Sequence, residues 1–162
     1  MHRGFSSRKL VFAVLGTLLL AATLAGCASP EPVAADEFTE IAKNLSFDIR
    51  ERTLEESEYL AGGGVIGSVV AYRGTAIAIF DTCIDEESAR IVFDFFSNGV
   101  EELFPSPRSE RESHGSVRNY HSRRSSDAVA AAIRIDNTVV TVSAETAEDV
   151  AAVDALIAAI GY

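Results

Sequence analysis

The sequence contains no tryptophan, one methionine and only two cysteines, Cys27 and Cys83, in 162 residues. Two thiols cannot build the disulfide framework of a small secreted domain, so stability must come from packing. Aromatic residues are 8 % of the chain, and no sugar-stacking platform is evident. Positive charge is scarce: 14 lysines and arginines stand against 24 acids, for a formal charge of −10. That balance repels phosphate and excludes nonspecific binding of nucleic acid. No apolar run reaches the roughly 20 residues of a membrane-spanning helix. Apolar residues nevertheless make up 48 % and charged residues 23 %. A chain of this size and composition can bury one core, and one domain is expected.

The N-terminus differs from the rest. Residues 1–26 hold Arg3, Arg8 and Lys9 and no acid, which leaves 11 bases against 24 acids in the remainder. An apolar run from Leu10 to Leu24, broken only by Gly16, Thr17 and Thr23, gives way to small residues. A basic head, a short apolar stretch and a small-residue end are the features of a secretory signal. The run closes in Leu24-Ala25-Gly26-Cys27, which resembles the lipobox of bacterial lipoproteins. The resemblance implies that 1–26 is a signal peptide. It also implies that Cys27 becomes the first residue and carries a diacylglyceryl group and fatty acid such as palmitate. The domain would then be held at the cell membrane on its extracytoplasmic face. Two or more acyl chains anchor stably, since each buried methylene contributes about 0.8 kcal/mol. Residues 27–35 form the lipidated cysteine and a tether with two prolines, and 36–162 the domain.

Periodicity predicts the domain's elements. Phe38, Ile41, Ala42 and Leu45 mark a helix over 36–45, and a short strand follows around Phe47–Arg52. A polar connection over 54–64 leads to two β-rich runs, 65–72 and 75–82, around an Arg73-Gly74 turn. Asp85 caps a helix over 85–97 whose stripe is Ala89, Val92, Phe93 and Phe96. Residues 98–117 read as a long surface loop, and 117–122 as a strand. A hairpin over 127–144 turns at Asp136-Asn137, and a final helix spans 146–160. Strand–turn–strand–helix order occurs twice, at 69–96 and 133–160. The expected fold is α+β: a single domain with a mostly antiparallel six-stranded sheet, helices packed on one face, and the order αβββαβββα.

Arg134-Ile135-Asp136-Asn137-Thr138, followed by a strand, an acidic-capped helix and a terminal Gly161-Tyr162, resembles a group of small, uncharacterised lipoproteins of Gram-positive bacteria. The likeness covers the order of elements along most of the chain and implies an anchored extracytoplasmic domain. It brings no catalytic residues. One departure is Asn44-Leu45-Ser46-Phe47, where the group tends to have Gly-Tyr.

Few residues suggest chemistry. Gly62–Gly67 matches G-x-G-x-x-G, but strand formers follow it where a dinucleotide site needs a helix. His114 and His121 lack a metal-ligand pattern, and the acidic runs lack the glycine of a calcium loop, so no metal or cofactor is expected. Ser122, His121 and Asp127 make a poor triad, because neighbours on a strand point to opposite faces. Cys83 ends an apolar run, as a buried hydrophobe does; a thiol nucleophile would need a base that the sequence does not place. The clearest feature is charge asymmetry. Residues 31–102 hold 16 acids and 5 bases, 103–135 hold 3 acids and 6 bases, and 136–162 hold 5 acids and no base. Within the basic island, Arg118, Tyr120, Ser122 and Arg124 would share one strand face, and His121 and Arg123 the other. Arg118, Tyr120, His121, Arg123 and Arg124 are therefore candidates for an anion or partner contact, with an envelope protein or a cell-wall polymer as partner. An exposed edge strand guarded by charge explains the same residues. The expected function is a lipid-anchored, non-catalytic binding or interaction protein. A small envelope hydrolase, or an inhibitor or accessory subunit acting through the loop 98–117, stand as alternatives.

Overall fold

The structure, a computed structural model, describes residues 32–52 and 64–161. The leader, Cys27 and most of the 54–64 connection lie outside the described residues. Among the described residues no helix is long and apolar enough to cross a membrane.

The first helix, α1 (Ala35–Asn44), buries Phe38 and Ala42 and leads into β1 (Asp48–Arg52). Val33 and Ala35 already pack against the core. The hairpin β2 (Val65–Arg73) and β3 (Ala76–Cys83) turns at Gly74, whose φ of +56° suits a residue without Cβ. A Cβ there would also meet the Asp149 carboxylate at 2.8 Å. α2 (Glu86–Leu103) begins at Asp85, whose side chain accepts from the Ser88 amide. β4 (Ser109–Ser113) and β5 (Arg118–Arg124) follow, then the hairpin β6 (Val129–Ile135) and β7 (Thr138–Ala144). α3 (Ala147–Ala159) closes the fold, capped by Thr146, whose hydroxyl accepts from the Asp149 amide.

The result is an α+β domain with an open antiparallel sheet in the order β1-β2-β3-β7-β6-β5-β4. Two expectations are corrected. The described sheet has seven strands, because β4 forms inside the segment read as a loop, and the order becomes αβββαββββα. The helices also do not share one face. α1 and α3 pack with Phe80, Ala131, Ile133, Val140 and Val142, whereas α2 packs with Cys83, Ala130, Ala132 and Val139. Consecutive residues of β6 thus enter opposite clusters, and all seven are buried. The physical reason is visible in Ala130 and Ala132. Small apolar residues on the second face of β6 let a second helix approach, so the strand is a run buried on both sides and not a one-sided alternation.

The two strand–turn–strand–helix repeats occupy symmetric positions in the sheet, with β3 beside β7 at the centre and β2 and β6 next outward. Their helices go to opposite faces, so the likeness stops at the strands.

Both ends of the described sheet carry charged strands, Asp48-Ile49-Arg50-Glu51-Arg52 and Ser109-Glu110-Arg111-Glu112-Ser113. These protect the edges against pairing with other chains. β5 is interior to β4, so the edge-strand explanation of its arginines does not hold.

Candidate functional site

β5 separates two environments. Its alternation puts Arg118, Tyr120, Ser122 and Arg124 on the α3 side, opposite Ile135, Ile133, Ala131 and Val129 of β6. Asn119, His121 and Arg123 face the α2 side. The division foreseen from period-2 alternation is therefore the observed one.

On the α2 side the polar side chains of β5 are matched. His121 is 1 % exposed. Its Nδ1 lies 2.6 Å from Ser97 Oγ, and its Nε2 lies 3.1 Å from Glu110 Oε1. With Glu110 ionised, Nε2 donates to it, and in the neutral ring Nδ1 accepts from the Ser97 hydroxyl. Arg123 Nε donates to the same Glu110 oxygen at 2.8 Å. Its Nη1 donates to the carbonyls of Phe104 and Glu101 at 3.0 and 3.3 Å. Arg123 and then His121 hold the Glu110 carboxyl below the usual carboxylate range. The last turn of α2 has no basic residue of its own, and Arg123 supplies the cation that a helix C-terminus favours.

Ser97, His121 and Glu110 stand in the order of a hydrolase triad. The ring that would pass the proton is sealed from solvent, so the set acts as a tie between α2, β5 and β4. Ser122 lies on the other side of β5 from His121, and Asp127 is exposed in the β5–β6 loop, which dismisses the triad considered from sequence.

Arg134, also on this side, is fully buried. Its guanidinium donates to Asn119 Oδ1 at 2.7 Å, Asp136 O at 2.9 Å and Ser116 O at 2.7 Å. It clamps the β4–β5 turn to the β6–β7 turn, where Asp136 has φ +55°.

The α3 side of β5 is open. A cavity of about 410 Å³ lies between β4–β5 and α3, lined by Arg111, Ser113, Arg118, Tyr120, Arg124, Asp154, Ile157 and Ala158. Among the described residues, three guanidinium groups and one carboxylate share it. The Arg111 guanidinium lies 5.4 Å from the centre of the Tyr120 ring, a cation–π contact. Tyr120 packs against the core with its ring. Arg124 and Asp154 form a bidentate pair, with Nη1 and Oδ2 at 3.0 Å and a second bond between Nη2 and Oδ1. Asp154 holds Arg124 firmly in its charged form. A concave volume in this range with several convergent polar groups makes this cavity the candidate ligand site.

Of the five candidates from sequence, Arg118, Tyr120 and Arg124 come together in this cavity, whereas His121 and Arg123 belong to the buried network behind it. Arg111 and Asp154 were missed. Arg111 lay in the supposed loop. Its alternating Ser-Glu-Arg-Glu-Ser context was a usable signal, because Glu110 and Glu112 pair with Arg123 and His121 across the sheet. Asp154 sits at a polar position of a helix and carries no sequence signal of its own.

Cys83 is fully buried. Burial, with the charges of Asp81 and Asp85 adding to it, pushes its thiol up to about 11. It behaves as the small buried hydrophobe and not as a nucleophile. The glycine pattern ends at Gly67, inside β2 and not at the start of a helix, so it does not form a dinucleotide site.

No protein-family model matches the chain, and no curated protein matches it.

Proposed function

We propose that this chain is a lipid-anchored binding protein of the extracytoplasmic membrane face, without catalysis, whose domain captures an anionic group in the cavity between β4–β5 and α3. The observation that carries the reading is the convergence of Arg111, Arg118 and Arg124 on one cavity in a domain that is otherwise strongly acidic. Arginine suits this task because its fork of donors matches phosphate and carboxylate oxygens. The acidic surface around it repels polyanions in general, so binding depends on the local site and not on bulk charge. The Leu24-Ala25-Gly26-Cys27 leader supports the placement: acylation at Cys27 would hold the cavity near the membrane, within reach of envelope polymers and proteins. The likeness to small Gram-positive lipoproteins agrees with that placement.

The test is a titration of the full-length protein, in neutral detergent micelles, with inorganic phosphate and citrate, followed by calorimetry. Saturable binding that weakens about tenfold in Arg111→Ala and again in Arg118→Ala supports the reading. Binding that is absent, or unaffected by both substitutions, contradicts it. Acylation is tested separately: Cys27→Ser should move the expressed protein from the detergent phase to the aqueous phase.

A further inference from the structure

The chain enters the domain at one end of the sheet. Pro32 is the first residue described, and Val33 and Ala35 already pack against the core. Ala35 borders one cavity with Arg52, at the end of β1, and Gly67, near the start of β2. Main-chain bonds carry this rim across the sheet. Ile84 N donates to Gly64 O at 2.9 Å, Cys83 N to Asn137 O at 2.8 Å, and Asp136 N to Val117 O at 2.9 Å. The rim thus runs from the start of β2 and the end of β3, through the β6–β7 turn, to the start of β5. Three of its side chains are apolar and open to solvent: Ile84 is 66 % exposed, Ile66 58 % and Val117 43 %.

The length of chain before the domain decides what this rim meets. From an acylated Cys27 to Pro32 there are five residue steps, at most about 18 Å when fully extended. β3 has eight residues and spans about 26 Å at about 3.3 Å per residue. To rest the opposite end of the sheet, at the Gly74 turn, on a bilayer, the tether would have to run back along a strand, which exceeds its reach. Lying on α1 is opposed by charge. That helix exposes Asp36, Glu37, Glu40 and Lys43 and, among the described residues, no large apolar side chain. At the rim itself, Asp85, Glu86 and Glu87 follow Ile84 and are exposed, so an anionic lipid surface repels this end. Isoleucine and valine gain from leaving water whatever the headgroup charge. Three such side chains are too few to hold a domain on a bilayer alone, but a short anchored tether keeps them at high effective concentration beside it.

Resting on the reading that Cys27 is acylated, we infer that this rim is a second membrane contact, in which Ile66, Ile84 and Val117 enter the headgroup region of an electrically neutral lipid surface. The contact sets the orientation of the domain. α2 follows β5 from Arg90, which donates to Ser116 O, to Phe104, whose carbonyl accepts from Arg123. Its start lies near the bilayer and Leu103 lies far from it.

The protein has no tryptophan, so one introduced indole reports one position. The test places the full-length, processed protein in phosphatidylcholine vesicles whose acyl chains carry bromine near the headgroup. It compares Ile84→Trp, Ile66→Trp and Val117→Trp with Leu103→Trp. All four positions are exposed, so the substitutions leave the core intact. The first three should shift their emission to the blue and lose intensity to the bromine, and Leu103→Trp should do neither. Adding phosphatidylglycerol should reduce the quenching. Flotation of the same samples reads the anchor separately. Protein that floats while Ile84→Trp and Ile66→Trp keep their emission, or that is quenched equally at Leu103→Trp, overturns the contact and leaves the acylation standing. Quenching that grows with phosphatidylglycerol overturns its apolar character. Protein that does not float overturns the anchor and the contact together. Hydrogen exchange of the unmodified chain on vesicles, compared with Cys27→Ser in solution, decides the matter should a variant misfold. Slowing confined to the rim is expected, and exchange there that is not slowed overturns the contact.

Discussion

The two sides of strand β5 carry residues of the same chemical kind in different surroundings. Towards α2, Arg123, Arg134 and His121 are matched to oxygens already present in the protein: Glu110, Ser97, Asn119 and main-chain carbonyls. Towards α3, Arg111, Arg118 and Arg124 line a cavity, where Arg124 is paired with Asp154. The comparison teaches that composition alone does not mark a binding arginine. A guanidinium enclosed by internal acceptors fastens elements together, while one bordering a cavity has room for an external oxyanion. Helix placement decides which is which. α2 lies across β5, β6 and β7 on one side, and on the other α3 leaves space beside β4 and β5.

The comparison can be broken most forcefully at Arg134. Replacing it with alanine leaves the Asp136 carbonyl and the Asn119 Oδ1 without this donor, takes the shorter of two bonds from the Ser116 carbonyl, and empties a fully buried position. A loss of about 3–5 kcal/mol is expected in denaturant unfolding. His121→Ala should cost about 2–3 kcal/mol by the same measure, because Ser97 and Glu110 lose a shared partner. The protein that remains folded should bind phosphate as wild type does. Loss of phosphate binding in folded His121→Ala would show that the two sides are not independent.

Asp81 is an exception on the α2 side, and it sharpens the contrast. It is fully buried, accepts from the Ser68 hydroxyl at 2.6 Å, and leaves Oδ2 with no hydrogen-bond partner in the protein. Burial outweighs the Ser68 bond and raises its carboxyl above the usual range. The folded state therefore holds this proton more tightly than the unfolded chain does. Its stabilising effect is full below the ordinary carboxylate value of about 4 and is lost as pH rises through the raised one. Asp81→Asn should remove that decline. The stability of the variant relative to wild type should grow between about pH 4 and pH 7, as measured by thermal unfolding across that range. A difference that does not change with pH contradicts the account. The smallest effect belongs to the open side: Arg111→Ala should change stability by no more than about 0.5 kcal/mol, since its side chain serves the cavity and not the core.

The elements with an apolar period were legible in the sequence. α1, α3 and both hairpins fall within a few residues of expectation, because Phe38 and Ala42, Leu156 and Ile157, and the alternation of β6 and β7 mark the face packed by α1 and α3. What was illegible depended on distant partners. α2 continues through Asn98 and Gly99 to Leu103, where local propensity suggests a stop; Val100 is buried on the sheet and Arg123 caps the end. A mid-helix glycine costs only about 1 kcal/mol against alanine, and tertiary contacts offset it. β4 has no buried residue at all, so periodicity could not reveal it; pairing with β5 makes it a strand. The second buried face was hidden because alanine at 130 and 132 is equally at home on a solvent-facing surface. At the candidate site, the sequence pointed to the alternation of β5 that the structure shows. It could not show that one set of arginines would meet a cavity and the other would meet Glu110 and the end of α2.

The central claim is that an anion enters on one side of β5 alone. The most direct measurement follows the arginine Nε–Hε signals by NMR as inorganic phosphate is added to the full-length protein. The account predicts saturable shifts for Arg111, Arg118 and Arg124, with Arg123 and Arg134 unmoved. Shifts spread evenly over all five, or absent from the first three, would contradict it.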